Sequence, residues 1–315
     1  MHLVVYLPMA GSLLLGVSAR RLAGVLPPRL GTKLLLVVGA AFAVTTSLAL
    51  GALASTYLGQ LPLVATVGGW SAHVLRHDDP VPVPVAQFAT VACLVVVGLV
   101  TASAVRHAAD LAFGARACRR LPASADDVVV LDERAPEAYA LAGLGGGRVV
   151  VTTGMLRLLR PDERRVLFAH ERAHLRHHHH AYRAAASLVT SLCPLLVGLP
   201  AAVRHLTERW ADEDASDVVG DRRLVAAAVA RAAMAASRAR RPVPASAIGE
   251  GDVPGRVRSL LAPRPRLGAG VAVTLAAALV LAILTAAQIG RDTDGLFDHA
   301  GLTVIHAHHL IVHRR

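Results

Sequence analysis

The sequence predicts a helical, polytopic membrane protein with an α+β domain inserted between its third and fourth membrane spans. Hydrophobic residues fill 54% of the 315 positions at a mean hydropathy of +0.50, yet aromatics only 3%, so the apolar content is Ala, Val and Leu rather than a soluble enzyme's core. Much of that content falls in runs long enough for a bilayer core of about 30 Å. Between the last two runs the pattern changes to short β-branched strands and charged, amphipathic helices.

Taken in order, residues 3–19 form a short apolar run that is just long enough to span, and residues 34–57, 85–105 and 267–288 form longer ones. Residues 1–105 are therefore expected to hold three transmembrane helices and residues 267–290 a fourth. Arg20, Arg21, Arg29 and Lys33 lie between the first two runs, and Arg106, Arg116, Arg119 and Arg120 follow the third, whereas residues 58–84 offset Arg76 with Asp78 and Asp79. The basic connections are expected in the cytoplasm and the N-terminus outside. A basic cluster that follows the first run instead of preceding it speaks against a cleavable signal peptide. The formal charge of +11 then reflects topology and contact with anionic lipid; few aromatics and no nucleic-acid motif argue against direct nucleic-acid binding.

Residues 106–266 are expected to form the cytoplasmic domain. Residues 127–131 and 148–152 read as strands, with Ala135-Pro136 and the glycines at 145–147 as turn punctuation. The strongest chemical signal is H-E-R-A-H at residues 170–174. On a helix His170 and His174 share one face and can converge on a zinc ion, while Glu171 faces a water on the metal as general base. Zinc lowers the pKa of such a water from about 16 to about 7, which suits peptide hydrolysis.

Two residues compete for the third ligand. Glu208 opens an E-x-x-x-D in which Asp212, one turn on, could fix the tautomer of a ligating imidazole. His180 stands where H-E-x-x-H-x-x-G-x-x-H has its last histidine, but His177 replaces the helix-breaking glycine and no Met-turn is evident, which favours Glu208. Residues 177–180 otherwise read as a solvated, partly protonated helix end, with a second metal site as the sharper alternative.

Residues 147–156, Asp162-Glu163 and residues 166–174 resemble the gluzincin core of membrane metallopeptidases, most nearly the BlaR/MecR-type antirepressor peptidases, with HtpX-type proteases as cousins. The resemblance is strongest over residues 127–228. It implies an α+β gluzincin (zincin) domain and one Zn2+ per chain held by His170, His174 and Glu208, with Glu171 as base and Asp212 behind the ligands. It also implies that residues 137–140 form an edge strand on which Ala138, Tyr139 and Ala140 meet a protein or peptide substrate, by backbone hydrogen bonds that tolerate varied sequence. The implied reading is a membrane zinc endopeptidase whose substrate could be a BlaI/MecI-like repressor. An HtpX-like quality-control protease and a non-catalytic metal-binding sensor are the alternatives. The penicillin-binding sensor of full-length receptors is not expected, because Lys33 is the only lysine and Leu30 occupies the serine position of S-x-x-K.

Residues 184–203 pose a conflict, being nearly apolar and long enough to span, since one crossing there would separate Glu208 from His174. Pro194 and Pro200 predict a broken or re-entrant segment instead. Residues 222–231 read as a helix behind the site and residues 240–266 as a proline-rich linker. Residues 291–315 read as a His-rich tail, interfacial or disordered, with metal sensing as the alternative. Cys93, Cys118 and Cys193 are scattered, with no disulfide framework and no zinc spacing.

Overall fold

Prolines set the helix boundaries on the membrane side. The helix α1 (Tyr6–Val25) stops at Leu26, whose backbone is extended, as a residue before proline prefers, and Pro28 starts α2 (Pro28–Gly59). Two short helices follow, α3 (Pro62–Gly68) and α4 (Ala72–Asp78), before α5 (Val83–Arg120) starts behind Pro82. The computed structural model describes residues 5–78, 81–121, 127–143, 147–239 and 252–312.

Among the described residues three helices are long and apolar enough to cross a membrane: Pro28–Gly59, Val83–Arg120 and Ala269–Leu296. They match the three longer runs. The first run is helical from Tyr6 but α1 is not among the three. With 38 residues α5 is roughly 57 Å long, so its turns beyond Val105 extend past a bilayer core and into the domain that follows.

The apolar stretch 184–203 does not run straight. It belongs to α8 (His179–Leu192), a single 3-10 turn at Pro194–Leu196, and α9 (Leu199–Val219), which together form a helical hairpin. Its tip packs Leu196, Leu199, Ala202 and Val203 into one core with Leu15 and Ala19 of α1 and Leu35 and Phe42 of α2. Backbone meets backbone there: a Cβ on Gly16 would stand 2.1 Å from the Leu195 carbonyl oxygen, and one on Gly198 would stand 2.1 Å from the Gly16 carbonyl oxygen. Only glycine permits that approach. The chain reverses inside the helical bundle, which brings Glu208 back to the side it left at His174.

The remaining elements form the inserted domain. β1 (Val128–Leu131), β2 (Ala138–Leu141) and β3 (Arg148–Thr152) make a sheet of order β1-β3-β2, parallel between β1 and β3 and antiparallel between β2 and β3. α6 (Thr153–Leu158) follows β3, with the Thr152 hydroxyl accepting from the Met155 N–H as N-cap. α7 (Pro161–Arg176) starts on Pro161, carries Asp162 and Glu163 in its first turn and receives the Arg160 N–H on the Glu163 carboxylate at 2.9 Å. Its buried residues Glu163, Val166, His170 and Ala173 recur at helical spacing. The predicted helix behind the site is α10 (Arg222–Ala239).

Two segments are more helical than the sequence predicts. Within the expected linker 240–266, residues 253–261 fold as a helix, α11 (Val253–Leu261), capped by the Asp252 carboxylate accepting from the Gly255 N–H; residues 240–251 lie outside the described residues. Prolines suggested a linker, but Pro254 sits in the first turn, where its missing N–H is harmless. Of the tail expected from residue 291, the part through residue 312 is helical and continues α12 (Ala269–Val312) from the fourth span. His313 lies outside the described residues, as do the side chains of His306, His308 and His309.

The bundle also fixes which ends lie together. Arg209 of α9, nearly fully buried, donates to the Ala23 carbonyl at 2.6 Å at the end of α1, while α4 packs on α12. The α1–α2 turn thus sits with the domain, and α3 and α4 sit at the opposite end.

Candidate active site

Four elements meet at the H-E-R-A-H motif. α7 and α9 pack face to face, β2 lies along α7, and α11 closes on α9 from behind. The i, i+4 spacing puts both imidazoles on the α9 side of α7, with their Nε2 atoms 3.2 Å apart. Glu208 comes to meet them from α9, one carboxylate oxygen 3.6 Å from His170 Nε2 and the other 3.5 Å from His174 Nε2. Three donors at about 2.0–2.1 Å from one tetrahedral zinc would lie about 3.3–3.4 Å from each other. The two imidazole nitrogens are close to that separation and the three donor atoms all lie within 4.8 Å of one another, and two nitrogens with one carboxylate are a donor set zinc accepts while keeping a fourth position open.

The surroundings hold these three groups in place. Asp212, fully buried on α9, lies with Oδ1 3.0 Å from His170 Nδ1, on the far side of that ring as expected. His174 Nδ1 lies 2.8 Å from His179 Nδ1. His179 is therefore no solvated helix end. His178 takes a left-handed backbone conformation, φ 52°, which breaks α7 from α8 and turns the His179 ring inward to 1% exposure. His177 is also engaged, stacked on Trp210 at 4.5 Å and 2.6 Å from Asp214. His180, the rival ligand, is exposed, and the cluster of potential ligands among the described residues is His170, His174 and Glu208. The second metal site weighed for residues 177–180 finds no support there.

Two arginines complete the site, and neither was legible beforehand. Arg256 of α11 donates to both oxygens of Asp212, at 2.8 and 2.6 Å, and reaches Glu208 at 2.9 Å. Arg183 of α8 donates to Glu208 at 2.6 Å and to the Thr207 hydroxyl at 3.1 Å. Burial alone would raise the carboxyl of Glu208; the neighbouring His170 imidazole and the charge of Arg256 hold it well below the ordinary range instead. Asp212 is likewise lowered against its desolvation, by Arg256 above all. Glu171 goes the other way, raised chiefly by burial.

The sheet edge supplies the last part. The Thr152 N–H donates to the Glu137 carbonyl at 3.0 Å, so Glu137, Tyr139 and Leu141 turn their backbone groups toward β3, and Ala138 and Ala140 turn theirs to the free edge. The outward Ala140 N–H is taken by the Glu171 carboxylate. Among the described residues no partner takes the outward groups of Ala138, and the Tyr139 side chain is 42% exposed. A cavity of about 580 Å³ joins Ala138 and Tyr139 to His170, Glu171, His174 and Glu208. All the predicted site residues are thus brought together, except that Ala140 borders a neighbouring cavity.

With this geometry, residues 111–243 match Peptidase family M48. A protein named Protease HtpX homolog, from Thermoplasma acidophilum, is 36% identical over 67 residues, which is 21% of this chain and 21% of that protein. The chain thus aligns with about a fifth of that relative's length. No solved structure matches. The matched stretch contains His170, Glu171, His174, Glu208 and Asp212 and stops short of α11, which carries Arg256.

Proposed function

We propose that this protein is a membrane-embedded zinc endopeptidase acting on polypeptide at the membrane surface. The observation that carries the reading is the pairing of a cluster of three potential zinc donors with a buried carboxylate, Glu171, in one cavity along a strand edge. His170, His174 and Glu208 would hold the metal. When bound, zinc acts as a Lewis acid and brings a water's pKa to about 7. Glu171, held by the Ala140 N–H and raised by burial, takes the proton of the attacking water and passes it to the leaving amine. Ala138 aligns the substrate backbone by edge-strand hydrogen bonds. Asp212 orients His170 and His179 orients His174, while Arg183 and Arg256 keep the Glu208 carboxylate ionised and in place.

The test uses the purified chain in detergent with an unfolded protein such as β-casein. Cleavage should be lost with a zinc chelator and return on adding zinc. A chain that binds zinc and cuts nothing would sink the protease reading in favour of a metal-binding sensor. A BlaI/MecI-like repressor is one substrate within the class, supported by the resemblance of residues 147–174; a misfolded membrane protein is the other, supported by the HtpX-type relative.

The site is proposed to face the cytoplasm, supported by the basic residues at the α1–α2 turn and at the end of α5, which lie on the domain's side of the bundle. Cysteines placed at the exposed positions Arg76, Arg120, Val218 and Asp298, in a chain lacking the native three, can be probed with a membrane-impermeant thiol reagent on intact cells. Labelling is expected at 76 and 298 only. Labelling at 120 and 218 instead would invert the topology.

A further inference from the structure

A second cavity, about 600 Å³, adjoins the first and shares His174 and Arg183 with it. The two lie along successive residues of the same edge: residues 135–139 border the first, and residues 140–142 the second. An extended chain rises about 3.3 Å per residue, so a peptide lying along that edge would pass from one into the other within about seven residues. The second cavity is walled by α5 on one side and α8 on the other, with Leu111, Phe113, Leu141 and Leu188 giving it an apolar lining. Phe113 is 71% exposed, a large ring left open beside the groove.

The groove's depth relative to the apolar span follows from α5. The apolar run ends at Val105, and the first lining residue, His107, follows within one turn. Gly114 lies only about 10 Å further along the helix than His107. There α5 abuts the end of β2 so closely that a Cβ on Gly114 would stand 2.5 Å from the Ala142 carbonyl oxygen, and Cys118 donates to the Leu141 carbonyl at 3.6 Å. The groove is therefore closed at its domain end by backbone contact and borders the membrane span at the other.

Resting on the protease reading above, we infer that this groove is the second half of the substrate cleft. It receives the residues on one side of the scissile bond, and it selects an apolar polypeptide segment next to a membrane span. A lipid acyl chain and a second copy of the protein are the competing occupants. Continuity with the first cavity through His174 and Arg183 favours the substrate, because a chain bound along Ala138 has its exit there.

The zinc-loaded full chain in detergent, mapped on β-casein by mass spectrometry, should cut where apolar residues are enriched within a few positions on one side of the bond. Two variants probe the groove at exposed positions, Ala181→Trp to fill it and Phe113→Asp to make it polar. Each should retain its zinc. Each should flatten the enrichment and lower by about tenfold the rate on a peptide of about twelve residues relative to one truncated on the apolar side. An unchanged pattern and ratio in both variants overturns the inference, and so does an unchanged ratio accompanied by loss of co-purifying phospholipid, which assigns the groove to an acyl chain, or by a change from dimer to monomer. A parent chain that cuts nothing removes the protease reading itself, an outcome separate from the first.

Discussion

Replacing Glu171 by Gln is expected to leave zinc content unchanged and to lower cleavage of an unfolded protein by about 10²- to 10⁴-fold, the usual worth of a general base. Gln is nearly isosteric, and its side-chain oxygen can still accept from the Ala140 N–H that holds the carboxylate, so the side chain should keep its place in the cavity. What it loses is the capacity to take a proton. The three proposed ligands are untouched, which separates a failed reaction from a lost metal. Zinc by mass spectrometry and initial rates on β-casein decide the matter; a variant that retains both metal and parental rate would remove Glu171 from the chemistry.

Glu208→Ala should do the reverse and empty the site. One of three donors is gone, and zinc affinity should fall by at least about 100-fold, the upper end of what even an outer partner of a ligand contributes. The same change strands two cations. Arg256, its side chain 11% exposed, keeps Asp212 but loses its second partner, and Arg183 keeps only the Thr207 hydroxyl among the described residues. Breaking a buried pair destabilises strongly, whereas the part-exposed Arg183 is screened by solvent, so the metal-free variant should also lose about 1–3 kcal/mol of stability. His180→Ala, at an exposed position outside the donor triangle, should change neither quantity. Chelator competition and thermal unfolding of the metal-free forms measure the two effects, and the opposite ranking would transfer the third ligand to His180.

The parts of the site legible in the sequence are those defined by short, fixed spacing. An i, i+4 pair of histidines on a helix must share a face whatever surrounds it, and Glu208 and Asp212 are related by the same rule. The three longer membrane helices were legible because bilayer thickness sets a length and a composition together. Sheet residues 128–131 and 148–152 stood out as β-branched runs. Ala138 and Ala140 needed the register with β3 before their outward backbone groups could be told from the inward ones of Tyr139.

Other features depend on long-range packing, for which local spacing holds no signal. Arg256 lies 44 positions from Asp212 and Arg183 lies 25 from Glu208, and arginines at such distances look like any others among the chain's basic residues. His179 stood in a run of four histidines, indistinguishable by composition from its exposed neighbours until the left-handed turn at His178 sent it under His174. The reversal at residues 194–198 depends on Gly16 and Gly198 meeting across nearly two hundred residues. By itself, then, the sequence determined the membrane class, the metal-binding motif and the helices that carry them, since local periodicity and transfer from water act residue by residue. Only the tertiary structure decided which cations brace Glu208 and Asp212, where the apolar hairpin turns and which groove adjoins the candidate site beside α5, because burial and pairing of charges are properties of surfaces that meet, not of the segments that supply them.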